Sequence, residues 1–156
     1  MPQLEPIERS GATLFRETDR AWVADQELTT AEVHLEANAA GLHWLALVDD
    51  EPVGFAFAKL IDWSLYIAEL VVARDHQRRC IGRNLMATVE EHARGIGAVQ
   101  LTLTTYRDLP WNAPFYRSLG FAEPPIMPAH LTAMLRREAE QGHDPALRCG
   151  MVKRFV

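Results

Sequence analysis

One segment near the middle of the chain constrains the fold more than any other part of the sequence. A mostly apolar run over 63–72 predicts a strand, and a short basic loop follows it. Apolar residues then recur every four positions, as on the buried face of a helix: Ile81, Leu85, Val89 and Ala93. Apolar and polar residues alternate over 99–104, which predicts a second strand. A strand, a helix and a strand in this order form a right-handed crossover, so the segment predicts a βαβ unit with two parallel strands.

The remaining sequence predicts helices before this unit and a mixture of helices and strands after it. Along the chain these are helices over 4–16 and 29–41, strands over 43–48 and 53–58, a short helix from Asn112, a helix over 131–141 and a strand over 147–156. A polar turn joins the first two strands into a hairpin, which continues into the 63–72 strand as an antiparallel meander. The sequence therefore predicts an α/β fold in one domain, residues 1–156. It is an α+β layer sandwich with a mixed, mostly antiparallel sheet, a central βαβ unit and flanking helices.

Length and charge limit the classes of protein to which this chain can belong. A chain of 156 residues with 48% hydrophobic and 24% charged residues can bury one core and is not typical of a disordered protein. Its net charge of -5 lacks the basic footprint of a nucleic-acid-binding protein. We therefore expect no nucleic-acid partner, and the acidic balance favours a small cationic ligand such as an amine.

The number of cysteines and the length of the apolar segments predict the cellular location of the protein. The two cysteines, Cys80 and Cys149, are too few for a disulfide framework and indicate free thiols in a reducing compartment. The first ten residues show no signal peptide, and no apolar run approaches the roughly 20 residues of a membrane span. Only two of the 16 basic residues are lysine, a bias typical of a GC-rich genome. We expect a bacterial, cytoplasmic protein that does not bind membranes.

The loop at Gln77–Arg83 carries the strongest chemical signal. Backbone N–H groups at the start of a helix are unpaired, and the helix dipole favours an anion there. Arg78, Arg79 and Arg83 add positive charge, and Gly82 lets a bulky anion approach the backbone. A diphosphate fits this pattern, and an ordinary helix start on a solvated basic turn is the alternative. The loop has neither the Lys-Ser/Thr of a Walker sequence nor the three glycines of a dinucleotide fingerprint.

Two motifs resemble the GNAT superfamily of acyl-CoA-dependent N-acetyltransferases. The first is Gln77-x-x-Cys80-x-Gly82 after the run Glu69–Val72, which is similar to the family's Gln/Arg-x-x-Gly-x-Gly/Ala fingerprint. The second is the stretch Trp111–Phe121, with its asparagine, its Phe-Tyr pair and its Leu-Gly-Phe ending. The order of secondary-structure elements agrees with this family along nearly the whole chain.

Cys80 departs from the family pattern, which usually has glycine at this position. We expect its Cβ to crowd a bound diphosphate unless the local φ is negative. A thiol at a helix N-terminus among arginines also predicts sensitivity to alkylating reagents. Bound CoA would shield that thiol.

The resemblance implies a cosubstrate and the residues that bind it. Acetyl-CoA would donate its acetyl group to a primary amine by direct attack in a ternary complex, without a metal. The backbone of Leu70, Val71 and Val72 would hold the acetyl and pantetheine portion, in a gap where this strand splays from the 99–104 strand. Asn112 would contact the CoA arm, with helix capping as the alternative. The loop residues that would hold the diphosphate are Gln77, Arg78, Arg79, Cys80, Ile81, Gly82 and Arg83.

The same resemblance singles out two catalytic candidates, Tyr116 and Glu69. Tyr116 stands in the Phe-Tyr pair and would protonate the departing thiolate, the alternative being a core aromatic. Glu69 falls on an apolar face of the predicted strand, where an unpaired carboxylate is costly. It therefore either meets an arginine or faces the substrate amine as its base, with Tyr66 and Asp62 as nearby alternatives. The six histidines have no metal-ligand spacing, so we expect no metal site.

The sequence thus favours an N-acetyltransferase whose acceptor is a small cationic amine or a protein amine. A non-catalytic acyl-CoA-binding sensor is the alternative, motivated by Cys80. A third possibility is a nucleic-acid-binding or regulatory protein that uses the three loop arginines, against which the net charge argues. The resemblance also implies a possible homodimer.

Overall fold

The computed structural model describes residues 3–155. Residues 1, 2 and 156, which enter the expectations for the N-terminus and the last strand, lie outside this range. The helices are α1 Leu4–Ala12, α2 Ala31–Ala39, α3 Ile81–Gly95, α4 Ala113–Ser118 and α5 Ala129–Glu140. The strands are β1 His43–Val48, β2 Glu51–Ile61, β3 Ser64–Val72, β4 Gln100–Tyr106 and β5 Arg148–Arg154.

The five strands form one sheet in the order β1-β2-β3-β4-β5. Strands β1 and β2 pair antiparallel, as do β4 and β5, whereas β3 and β4 pair parallel. The parallel register sets Ser64 opposite Gln100 and Tyr66 opposite Thr102, with α3 as the connection. The mixed, mostly antiparallel sheet and its central βαβ unit are therefore confirmed.

The described residues divide into two compact units. The first comprises the chain up to Lys59 together with Ala68–Glu91, and the second comprises Leu60–Ile67 together with the chain from His92. That residues 1–156 fold as a single domain stays a prediction. No helix within residues 3–155 is long and apolar enough to span a bilayer.

The first unit packs α1 and α2 against the β1–β2 hairpin and the second half of β3. Its core includes Leu4 and Ile7 of α1 and Phe55 and Phe57 of β2. A Cβ at Gly54 would lie 3.0 Å from the carbonyl oxygen of Val71, and one at Gly11 would lie 2.3 Å from a Val71 methyl carbon. The two glycines therefore let β2 and α1 approach the end of β3 closely, and this fixes that strand end from two sides.

The second unit is built on β4, whose Leu101, Leu103 and Tyr106 side chains are fully or almost fully buried. Helix α5 covers β4 and β5, and a Cβ at Gly150 would lie 2.5 Å from the sulfur of Met127. Arg148 of β5 pairs with Glu138 of α5 in this interior. A buried ion pair needs such close contact, because isolated charges are costly to desolvate.

Several boundaries differ from the sequence expectation. Helix α1 ends at Ala12 and continues as a 3₁₀ turn over Thr13–Glu17, and a second 3₁₀ turn over Ala21–Asp25 was not anticipated. Strand β2 runs to Ile61, three residues beyond the predicted end. The turn to β3 then has Asp62 and Trp63 in left-handed conformations, the geometry of a tight hairpin.

Candidate active site

The end of β3 and the loop after it form a fixed corner in the first unit. The carbonyl oxygen of Val72 accepts a 3.0 Å hydrogen bond from the side-chain amide of Gln77. The backbone N–H of Ala73 donates to the carbonyl of Val53, and the guanidinium of Arg74 lies 3.1 Å from a carboxylate oxygen of Glu17. The side chain of Gln77 therefore holds the loop against the strand end.

Two residues of this loop, Arg78 and Cys80, adopt left-handed backbone conformations, each with φ of 63°. A negative φ at Cys80, the condition under which its Cβ would be tolerated, is therefore not met. For a residue with a Cβ this conformation costs on the order of 1–2 kcal/mol, which explains the glycine of the family pattern. The thiol of Cys80 is exposed. The alternating left-handed residues curve the backbone in the manner of anion-binding nests.

Helix α3 begins directly after Cys80, whose carbonyl oxygen accepts a hydrogen bond from the N–H of Asn84. The side chains of Arg78, Arg79 and Arg83 are exposed. No acidic residue stands in the first turn of this helix. The charge and dipole of this helix start thus suit an anion, while its part in binding CoA stays a prediction.

Glu69 of β3 lies near a second carboxylic acid, Glu8 of α1. Its Oε2 accepts a 2.7 Å hydrogen bond from the hydroxyl of Thr29, and the same hydroxyl lies 3.2 Å from Oε1 of Glu8. The sequence left open an arginine partner for Glu69. That interpretation is wrong, because the groups that meet Glu69 are a threonine hydroxyl and another carboxyl.

The surroundings of Glu69 change its proton affinity. Burial, followed by the nearby Glu8 carboxylate, raises the pKa of Glu69 to about 8, and the hydrogen bond from Thr29 opposes this increase. Sequence reasoning missed Glu8. Its position between Ile7 and Gly11 on the buried stripe of α1 was the signal that could have identified it.

Tyr116 lies on α4 in the second unit and is buried, with 9% of its surface exposed. Its ring meets Phe115 and Phe121 edge to face, at centroid distances of 5.2 and 5.7 Å. Burial raises the pKa of the phenol above its ordinary value, and Arg148 partly opposes this. The hydroxyl therefore keeps its proton throughout the physiological pH range.

Asn112 occupies the N-cap position of α4, yet its side chain makes no capping hydrogen bond. Its backbone carbonyl accepts the N–H of Tyr116 at 3.1 Å. Side-chain capping, the alternative role for Asn112, is therefore wrong.

The two alternative bases lie in the second unit: Tyr66 is buried with its pKa raised by desolvation, and Asp62 is exposed in a turn. Within residues 3–155, no group of three or more His, Cys, Asp or Glu side chains could hold a metal ion.

Comparisons with known proteins place the chain in a family. Residues 10–121 match the acetyltransferase (GNAT) family, and the chain belongs to it. A mycothiol acetyltransferase of Cellulomonas flavigena is 31% identical over 109 residues, which are 69% of this chain and 29% of that protein. The chain thus spans less than a third of the length of this relative.

Solved structures share the fold at low sequence identity. The PaiA N-acetyltransferase of Thermoplasma acidophilum in complex with coenzyme A superposes with a TM-score of 0.74 at 14% identity, covering 99% of this chain and 92% of that chain. The ribosomal-protein-S18-alanine N-acetyltransferase of Escherichia coli gives 0.63 at 17% identity, covering 98% and 86%. The α/β layer fold is therefore that of the GNAT acetyltransferases.

Proposed function

We propose that this protein is an N-acetyltransferase that uses acetyl-CoA as its cosubstrate and a primary amine as its acceptor. The observation that carries the proposal is the curved loop between β3 and α3, with two left-handed residues and exposed arginines at a helix start that lacks acidic residues. Membership of the GNAT family and a fold relative solved with coenzyme A support it.

The loop offers the donors that a CoA diphosphate needs. Backbone N–H groups of Ile81, Gly82 and Arg83 belong to the first turn of α3, where helix donors lack partners within the helix. Arg78 and Arg79 add exposed positive charge. The shape of the corner depends on Gln77, whose side-chain amide holds the loop against Val72.

The strand end before the loop would hold the rest of the cosubstrate. Backbone groups of Leu70, Val71 and Val72 would bind the pantetheine arm and polarise the acetyl carbonyl, as a backbone N–H does in an oxyanion hole. The side-chain oxygen of Asn112 accepts no capping hydrogen bond, and we propose that this side chain contacts the CoA arm instead.

Tyr116 would act on the leaving group. Its raised pKa keeps the proton on the phenol, so it would stabilise the departing thiolate mainly by donating a hydrogen bond. A thiol has an ordinary pKa of about 8.5, and complete transfer from a less acidic phenol would be uphill.

Glu69 would take the proton that the acceptor ammonium must lose before its nitrogen can attack. A base is most effective when its pKa lies near the working pH, and a pKa of about 8 meets that condition. A cationic acceptor would also favour the ionised form of this carboxyl. The preference for a small cationic amine over a protein amine, the cytoplasmic location and a homodimer stay predictions.

Calorimetric titration with acetyl-CoA, CoA and adenosine diphosphate tests the first half of the proposal. We expect saturable binding of both CoA ligands in the micromolar range, and then release of free thiol when amines are added with acetyl-CoA. Absence of binding up to millimolar concentration, in both the parent protein and Cys80→Gly, would refute the proposal.

A non-catalytic acyl-CoA-binding module is the second candidate. It is favoured by Cys80, whose left-handed backbone places a side chain where the family usually has glycine. This candidate predicts CoA binding without thiol release for every amine tested, and unchanged behaviour of Tyr116→Phe.

A further inference from the structure

Thr29, which precedes α2 in the first unit, joins two carboxyl groups. Its backbone N–H donates to Oε1 of Glu8 at 2.9 Å, and its hydroxyl donates to Oε2 of Glu69 at 2.7 Å. The hydroxyl also lies 3.2 Å from Oε1 of Glu8. One hydroxyl proton serves one acceptor at a time, and the shorter distance assigns it to Glu69. Thr29 thus satisfies one oxygen of each acid and holds the two acids together.

Two carboxyl groups in contact cannot both be ionised without strong repulsion. The hydroxyl of Thr29 lies within 3.2 Å of an oxygen of each acid, so Glu8 is a near neighbour of Glu69 and raises the pKa of its carboxyl group. Within residues 3–155, the groups that act on Glu69 are Glu8 of α1 and Thr29. The ring of His34 on α2 interacts electrostatically with Glu8. Of the groups that act on Glu69, Glu8 therefore disfavours its ionised form and Thr29 favours it.

We propose that Glu8 and Thr29 are positioning residues, which hold Glu69 beside a second carboxyl group and within reach of one hydroxyl donor, and so set the pH at which Glu69 takes a proton from the acceptor ammonium. This inference rests on the proposed function. In the step, an N–H bond of the ammonium breaks, an O–H bond forms on ionised Glu69, and the electron pair stays on nitrogen for attack on the acetyl carbonyl. The proton leaves to solvent when Glu69 ionises again.

The proposal predicts shifts of opposite sign in two variants. Glu8→Gln keeps the size of the side chain and removes the like charge, so the titration of Glu69 should move down by about one pH unit or more. Thr29→Val removes the hydroxyl that favours ionised Glu69 and should move its titration upward. Thr29→Ser keeps the hydroxyl and should behave as the parent protein.

A matched control exists on the same helix. Glu5 is exposed and forms an ion pair with Arg9, four residues along α1. Glu5→Gln therefore removes one carboxylate from α1 without touching the pair, and the titration of Glu69 should not change. A general loosening of α1 would affect this control and Glu8→Gln alike, and would not produce opposite shifts in the Thr29→Val protein.

Two measurements test the proposal on the folded variants. Carbon-13 NMR follows the carboxyl carbons with pH, and Glu69→Gln identifies the signal of Glu69. The pH profile of kcat/KM with an amine acceptor should then show its acidic limb shifted in the same direction as the NMR titration. Should Glu8→Gln fail to fold, the comparison of Thr29→Val with Thr29→Ser carries the same test.

The outcomes separate this inference from the function on which it rests. Suppose that the protein acetylates an amine but that Glu69 titrates identically by NMR in the parent and Glu8→Gln proteins. This result would overturn the positioning role alone. An NMR shift with an unchanged acidic limb of kcat/KM would also overturn it. Opposite NMR shifts without turnover for any amine would refute the proposed function, and with it the catalytic role of the pair.

Discussion

The side-chain amide of Gln77 donates a 3.0 Å hydrogen bond to the carbonyl oxygen of Val72, five residues earlier in the chain. This contact closes the corner between β3 and α3 across a loop that contains two left-handed residues. Because the loop backbone would bind the CoA diphosphate, the contact acts on cosubstrate affinity through the shape of the loop.

Gln77→Leu should weaken CoA binding without preventing folding. A hydrogen bond of this kind contributes about 1 kcal/mol, so we expect the dissociation constant of CoA to rise about fivefold. Calorimetry on the variant measures this, with Gln141→Leu as a control because Gln141 is exposed at the end of α5. Unchanged affinity in Gln77→Leu would show that the loop keeps its shape without this contact.

Cys80→Gly should bind CoA more tightly than the parent protein. Glycine accepts the positive φ without strain and removes a Cβ from the loop that would meet the diphosphate. Because the positive φ is present without CoA, it is the removal of the crowding Cβ, about 1 kcal/mol, that would increase the affinity about fivefold. Cys80→Ala is the matched control, since it removes the thiol and keeps the Cβ. Equal affinities of the Gly and Ala variants would assign the effect to the thiol and contradict this account.

Cys80 should be the cysteine that reacts with an alkylating reagent in the folded protein. Its thiol is exposed, whereas Cys149 is buried in β5 with 1% of its surface accessible. Mass spectrometry should find one modified cysteine in the native protein and two after unfolding. Saturating CoA should slow the modification of Cys80, and equal labelling rates with and without CoA would place the cosubstrate away from this loop.

The fold was largely predictable because its central elements bury one regular face. Val89 and Ala93 of α3 are fully buried, as the four-residue spacing of apolar positions requires. The longer β2 was not predictable, because Lys59 and Leu60 are exposed and lack the pattern of a buried strand. The left-handed turn at Asp62 and Trp63 also lacks the glycine that usually identifies such a turn.

Only the part of the candidate site formed by residues close together in the sequence was predictable. The loop after β3 follows from a short motif, whereas the surroundings of Glu69 come from distant parts of the chain. Thr29 is 21 residues from Glu8 and 40 from Glu69, and a single threonine before a helix gives no signal of such a contact. The capping alternative for Asn112 failed for the opposite reason, since the local sequence favours capping while the side chain makes no cap.

Glu69 should make the stability of the protein fall as the pH rises. Its pKa of about 8 in the folded chain exceeds the ordinary 4.5, so the folded state binds more protons than the unfolded state between these values. The contribution of Glu69 to the free energy of unfolding is therefore fully present below pH 4.5. It decreases toward pH 8, by at most about 1.4 kcal/mol per pH unit. Urea unfolding at pH 5 and pH 8 measures the decrease.

Glu69→Gln should remove most of that pH dependence, because glutamine does not titrate. Glu5→Gln should retain it, since Glu5 is an exposed residue paired with Arg9. Parallel stability curves for the parent and Glu69→Gln proteins would show that Glu69 titrates as an ordinary carboxyl group.

Tyr116→Phe should lower kcat while leaving CoA affinity nearly unchanged. The aromatic ring and its contacts with Phe115 and Phe121 remain, so the variant loses the hydroxyl without opening a cavity in α4. Positioned proton donors contribute about 10²-fold or more to rates, and we expect a decrease of that order in kcat for acetyl transfer. Steady-state kinetics with thiol detection, beside calorimetry with CoA, separates the two quantities. Phe115→Leu is the control for aromatic packing, and it should change stability more than kcat. A Tyr116→Phe protein with parental kcat would reduce Tyr116 to a core aromatic and leave the stabilisation of the departing thiolate to solvent or to another residue.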